Sequence, residues 1–137
     1  MIFGIGTDLL NAQRVEHVYR RFGERFVDRL LLPEEKKQFL KVKRKARFLA
    51  MRFAGKEAVV KAMGTGFANG VWIRDVGIMQ DSRGRPEIVF SGRGLAVCRR
   101  LGIAGGFVSL SDEDGMVLAM AVLMKDPGRQ TPGIPDA

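Results

Sequence analysis

RKARFLAMRFAGKEAVVKAMGTG, residues 44–66, sets the architecture of this chain. Phe48, Met51, Ala54 or Gly55, Ala58, Val59, Ala62 and Met63 recur at three- and four-residue steps, which predicts a long helix over 44–63. Gly64-Thr65-Gly66 stops it. Upstream, residues 1–10 read as a strand ending in Thr7-Asp8. Asn11 caps a helix with Val15, Val18, Tyr19 and Phe22 on one stripe, and Gly23 ends it. Short helices are predicted over 24–31 and from Pro33 to about Leu40, where Glu34 and Glu35 suit the positive end of the helix dipole.

Downstream of the long helix the period changes. Residues 71–79 and 87–90 read as strands around a turn at 81–84, and 92–101 as a helix ended by Gly102. Strands at 106–111 and 116–124 are joined by Asp112-Glu-Asp-Gly115, a hairpin loop of solvated acidic residues. Helices early and strands late predict an α+β fold, with an antiparallel sheet packed on the long central helix. One domain is expected over 1–124. The Pro- and Gly-containing tail, 125–137, is expected to be disordered.

No apolar run reaches the roughly 18 residues a membrane span needs. The N-terminus lacks a basic leader, which argues against a signal peptide. One cysteine, Cys98, rules out an internal disulfide and reads as a small buried hydrophobe. These points fit the cytoplasm. The single histidine, His17, reads as a surface residue, and with one cysteine it excludes a conventional zinc cluster.

The net charge of +8 is one-sided. Residues 1–61 hold fifteen Lys/Arg against seven Asp/Glu, whereas 62–137 hold eight of each. Such an excess implies an anionic partner: nucleic acid, a phosphorylated cofactor or an acidic protein. A nucleic-acid-binding module is the alternative that the basic composition raises. Against it, no base-reading motif is present, and the aromatic residues follow core-like spacing.

Three segments carry chemistry. In Gly4-Ile-Gly6-Thr7-Asp8, the carboxylate at a strand-to-helix junction either holds a hard cation such as Mg²⁺ or favours the next helix N-terminus. In Arg52-Phe-Ala-Gly-Lys56-Glu57-Ala-Val-Val-Lys61, Glu57 and Lys61 share one helix face, and Arg52 and Lys56 a neighbouring one. A carboxylate among cations suits a metal-bound pyrophosphate or, more simply, a surface ion pair. Gly64-Thr65-Gly66 reads as a helix cap or a phosphate-contacting loop, and it does not match the P-loop pattern.

Together these motifs resemble the bacterial holo-acyl-carrier-protein synthase family, the short branch of the phosphopantetheinyl transferases. That family opens with Gly-x-Gly-x-Asp, matched by Gly4 to Asp8, and its central motif matches Arg52 to Gly66 at every fixed position. The likeness continues through Gly84-x-Pro86 and Val108-Ser-Leu-Ser-Asp112. It implies transfer of phosphopantetheine from coenzyme A to a serine of an acidic acyl carrier protein, in fatty acid biosynthesis. It further implies Asp8 and Glu57 as Mg²⁺ ligands and catalytic residues, with Lys61 on the leaving phosphate. Arg52, Lys56, Lys61, Gly64, Thr65 and Gly66 would hold coenzyme A. Arg14 matches the family's carrier-protein contact, and Arg20, Arg21 and Arg25 extend that patch. Lys41, Lys43, Arg44, Lys45 and Arg47 face either the carrier or the cofactor's 3′-phosphate. The family implies a homotrimer with neither nucleic acid nor membrane as partner. Two positions depart from many relatives: Phe107 stands where they have histidine, and Asn11 where they have glutamate.

Overall fold

The structure is a computed structural model that describes residues 1–67 and 70–128. In chain order the elements are β1 (Ile2–Asn11), α1 (Ala12–Phe22), α2 (Glu24–Leu30), α3 (Pro33–Lys41), α4 (Lys45–Met63), a 3-10 turn (Ile73–Asp75), β2 (Val76–Gln80), β3 (Pro86–Phe90), α5 (Gly92–Leu101), β4 (Ile103–Glu113) and β5 (Met116–Lys125). The α+β fold expected from the sequence is the one observed. β5 lies between β1 and β4 in an antiparallel sheet, and β2 and β3 form a separate hairpin.

The helix α4 lies across β1 and β5. Most of its surface is covered, and Leu49, Ala50, Ala54, Ala58, Val59 and Val60 are wholly buried. The inner face of β5 meets it with Val117, Ala119, Ala121 and Leu123, alternating with exposed residues as the strand period requires. Small alanines on both elements let helix and sheet approach closely. The helix ends where Gly64 takes a left-handed φ of 80° and its N–H donates to the carbonyls of Val60 and Lys61.

At the start of α1, Asn11 Oδ1 accepts from the Gln13 N–H at 3.0 Å. Arg20 and Arg21 occupy its last turn, where the dipole favours cations. In α3, Glu35 accepts from the Leu32 N–H at 2.9 Å, closing the first turn.

Three expectations change in detail. The strand expected from 71 begins at Val76, because Asp75 Oδ2 accepts from the Trp72 N–H at 2.8 Å and closes a 3-10 turn first. The acidic hairpin loop shrinks to Asp114-Gly115, both at positive φ. Asp112 therefore lies within β4 rather than in the loop, exposed and paired through both oxygens with Arg47 at 2.8 Å. Lys125, the first residue of the expected tail, still pairs with Ile103 in the sheet, and the Asp126 N–H reaches Gly102 O. The disorder expected of the tail falls, for residues 129–137, outside the described residues. Among the described residues no helix is long and apolar enough to cross a membrane.

Candidate active site

The two glycines of Gly4-Ile-Gly6 explain how residues forty-nine positions apart meet. A Cβ built on Gly6 would stand 2.0 Å from Ala58 O, and one on Gly4 would stand 2.1 Å from Ala62 O. Neither has room for a methyl group, so β1 rests its bare backbone on one turn of α4. That contact carries Asp8, two residues beyond Gly6, to the helix face bearing Glu57 and Lys61.

Lys61 Nζ donates to Asp8 Oδ1 at 3.2 Å and to Thr7 O at 3.0 Å. Asp8 Oδ2 is buried and has no hydrogen-bond partner among the described residues. A buried carboxylate oxygen left bare is costly unless a cation or donor arrives. The Glu57 carboxyl titrates above its ordinary range. Burial is the main cause, the charge of Asp8 adds to it, and Lys61 opposes both. Two carboxylates that repel one another, one with a bare oxygen, form a site that gains from a hard cation. No group of three or more His, Cys, Asp or Glu side chains is arranged for a metal among the described residues. Any ion here would complete its shell with water or ligand oxygens, as Mg²⁺ commonly does.

The carboxylates open onto a cleft of about 850 Å³. Its walls include Phe26, Phe53 and Val18, and its polar rim holds Asn11 at the end of β1 and Gln13, Arg14 and His17 of α1. His17 is exposed, as expected, but it faces this cleft. The place of Gln13 and His17 on this cleft was not foreseen from the sequence. The signal was their helical spacing with Arg14 on a helix that starts just after Asp8.

Arg52 and Lys56 require a correction. Expected to hold a nucleotide, they are 2% and 0% exposed and turn into the interior. Lys56 Nζ donates to Glu35 Oε1 at 2.6 Å and to Leu30 O. Arg52 Nε lies 3.8 Å from Glu35 Oε2, and its guanidinium sits 4.1 Å over the Phe48 ring. Burial holds Arg52 down at about 10 and also depresses Lys56, with Glu35 countering in both. The physical reason is Glu35, a fully buried carboxylate that needs both cations.

The remaining expected residues stand as follows. The N–H groups of Gly64 and Gly66 both point at Val60 O, and Thr65 Oγ1 donates to Gly66 O at 2.8 Å. Arg14, Arg21 and Arg25 are exposed and form no ion pair among the described residues, and Arg21 lies 5.3 Å over the Phe22 ring. Arg20 is held by Glu16 at 2.7 Å. Lys45 donates to the carbonyls of Phe39 and Val42, closing the end of α3. Asn11 serves as a helix cap. Phe107 is 58% exposed on β4, with the Arg85 guanidinium 6.0 Å from its ring.

Known proteins are similar to this chain over most of its length. A family model described as the 4′-phosphopantetheinyl transferase superfamily matches residues 4–119. A holo-[acyl-carrier-protein] synthase of Halorhodospira halophila is 44% identical over 124 residues, covering 90% of this chain and 98% of its own. The chain belongs to the holo-[acyl-carrier-protein] synthase family. The crystal structure of the Neisseria meningitidis member superposes with a TM-score of 0.86 at 39% identity, over 91% of this chain and all of that one. The Bacillus anthracis member, solved in complex with CoA (3′,5′-ADP), gives a TM-score of 0.74 at 31% identity, over 90% and 96% of the two chains.

Proposed function

We propose that this chain transfers the 4′-phosphopantetheine group of coenzyme A to a serine of an apo-acyl carrier protein, with Mg²⁺. The observation that carries this reading is the meeting of Asp8, Glu57 and Lys61 at one end of an open cleft, with Asp8 Oδ2 bare. In this reading Asp8 and Glu57 hold the ion together with the pyrophosphate oxygens of coenzyme A. The ion supplies charge neutralisation at the phosphates when bound. The serine oxygen attacks the β-phosphorus, and the bond to the bridging oxygen breaks. Adenosine 3′,5′-bisphosphate leaves. The serine proton passes to a water in the cleft, held by the ion or by Glu57.

Lys61 is half exposed, so its ammonium can turn from Asp8 towards the leaving phosphate while its stem stays packed. Thr65 and its flanking glycines lie one turn beyond Lys61 and border the nucleotide. Arg14 at the cleft rim, with Arg21 and Arg25, meets the acidic carrier protein, and this steering weakens with salt.

The chain works as a homotrimer in this proposal. The outer sheet face supports it: Ile5, Leu9, Phe107, Leu118 and Met120 are 44–66% exposed on neighbouring strands, an apolar surface that a second copy would cover. The cytoplasm is the proposed location, where coenzyme A and carrier protein meet. The direct test incubates the protein with Mg²⁺, coenzyme A and an apo-carrier protein. A gain of about 340 Da on the carrier is expected, the mass of the transferred group. No gain with several carrier proteins rejects the function.

A further inference from the structure

We propose that Lys56, in its buried pair with Glu35, is a positioning residue for the transfer reaction: it fixes the rotation of α4 that aims Glu57 at Asp8. This rests on the function proposed above. Four segments converge on this pair. Glu35 Oε1 takes the Lys56 ammonium at 2.6 Å and the Leu32 N–H at 2.9 Å, and Oε2 takes the Ile78 N–H at 2.9 Å. Lys56 also donates to Leu30 O and approaches Ile73 O at 3.5 Å. The end of α2, the start of α3, the 3-10 turn and β2 are thereby tied to a single residue of α4.

Stability does not explain the pair. Replacing a buried ion pair with well-packed apolar groups is often neutral or stabilising, because desolvation offsets the attraction. What the pair adds is direction. Gly4 and Gly6 hold α4 against β1 at Ala62 and Ala58, and the apolar packing of Leu49, Ala54 and Val59 confines it on other sides. Lys56 grips the helix from another side, one residue before Glu57. A side-chain tip stands about 6 Å from a helix axis, so a roll of about 10° moves it by about 1 Å. A displacement of that size at a reacting centre costs up to about a hundredfold in rate.

The test is the double variant Lys56→Met with Glu35→Gln, which removes both charges and keeps an acceptor for the Ile78 N–H. Three results are expected. The variant folds but melts lower than the unsubstituted protein, because Arg52 loses the counter-charge of Glu35. Its kcat falls about tenfold or more, with both KM values within about twofold. The Mn²⁺ affinity of the coenzyme-A-bound protein, read from the electron paramagnetic resonance of the free ion, weakens. A folded double variant with unchanged kcat and Mn²⁺ affinity overturns the proposal. If the double variant does not fold, Lys56→Met alone decides, since Glu35 then keeps Arg52 as its counter-charge: kcat down about threefold or more supports the role, and wild-type kcat refutes it. Turnover by the unsubstituted protein is measured first. Its absence removes the proposed function, whereas equal turnover by protein and variant removes only the role of Lys56.

Discussion

Gly6→Ala is the most informative single methyl group that can be added to this protein. Its Cβ would stand 2.0 Å from Ala58 O, 2.6 Å from Ala62 N and 3.0 Å from Lys61 Cβ. Real Cβ contacts essentially never fall below 3.0 Å, so β1 and α4 must separate by about 1 Å. Neither neighbour can yield by rotating a side chain, because the two nearest atoms are backbone atoms inside a helix. Overpacking of this kind costs about 1–3 kcal/mol of stability. The same displacement carries Asp8 away from Glu57 and Lys61, and about 1 Å there costs up to about a hundredfold in kcat. Gly92→Ala is the control, since a Cβ there meets nothing within 4 Å and φ is not positive. Thermal melts and the carrier mass-shift assay, run on both variants at matched folded fraction, read the two effects separately. Wild-type melting and kcat in Gly6→Ala would refute the claim that these glycines bring the carboxylates together.

Other outcomes follow from the same geometry. Asp8→Ala and Glu57→Gln should each abolish the mass shift, and full activity in either removes that residue from the site. Glu57→Gln should also melt higher than the unsubstituted protein at neutral pH without metal. A glutamate whose folded pKa is raised contributes stability that is lost as pH rises through that pKa, so its charged form is a liability at pH 7; an unchanged or lower melting point contradicts this. Arg14→Glu should raise the KM for carrier protein more than that for coenzyme A, and an equal change in both would place Arg14 elsewhere. The Cys98 thiol, pushed up to about 11 by burial, should resist alkylation at pH 8 in the native protein and react on denaturation.

The fold was largely legible because its signals are local. The three- and four-residue steps of α4, the stop at Gly64 and the alternation in β5 each depend on neighbours in sequence, and each element formed where its period predicts. The strand expected from 71 failed locally too, since the turn closed by Asp75 overrides the apolar pattern of Val71-Trp-Ile. The site was legible only through resemblance, because Asp8 and Glu57 meet through a contact that spacing does not encode. The reading of Arg52 and Lys56 as nucleotide contacts failed for the same reason. On sequence they are two cations sharing a helix face, the usual mark of an exposed surface. Their partner Glu35 lies 21 residues before Lys56, and only the folded chain shows it buried. Gly4 and Gly6 carried a signal that went unread: glycines inside a strand mark close approach of another backbone.

The most direct test of the account is a crystal structure with coenzyme A and Mn²⁺, with the metal located by its anomalous scattering. The account predicts one peak within coordination distance of Asp8 Oδ2 and a Glu57 carboxylate oxygen, shared with oxygens of the pyrophosphate. Coenzyme A bound with no metal peak between those two side chains, or with either carboxylate turned away from it, contradicts the account.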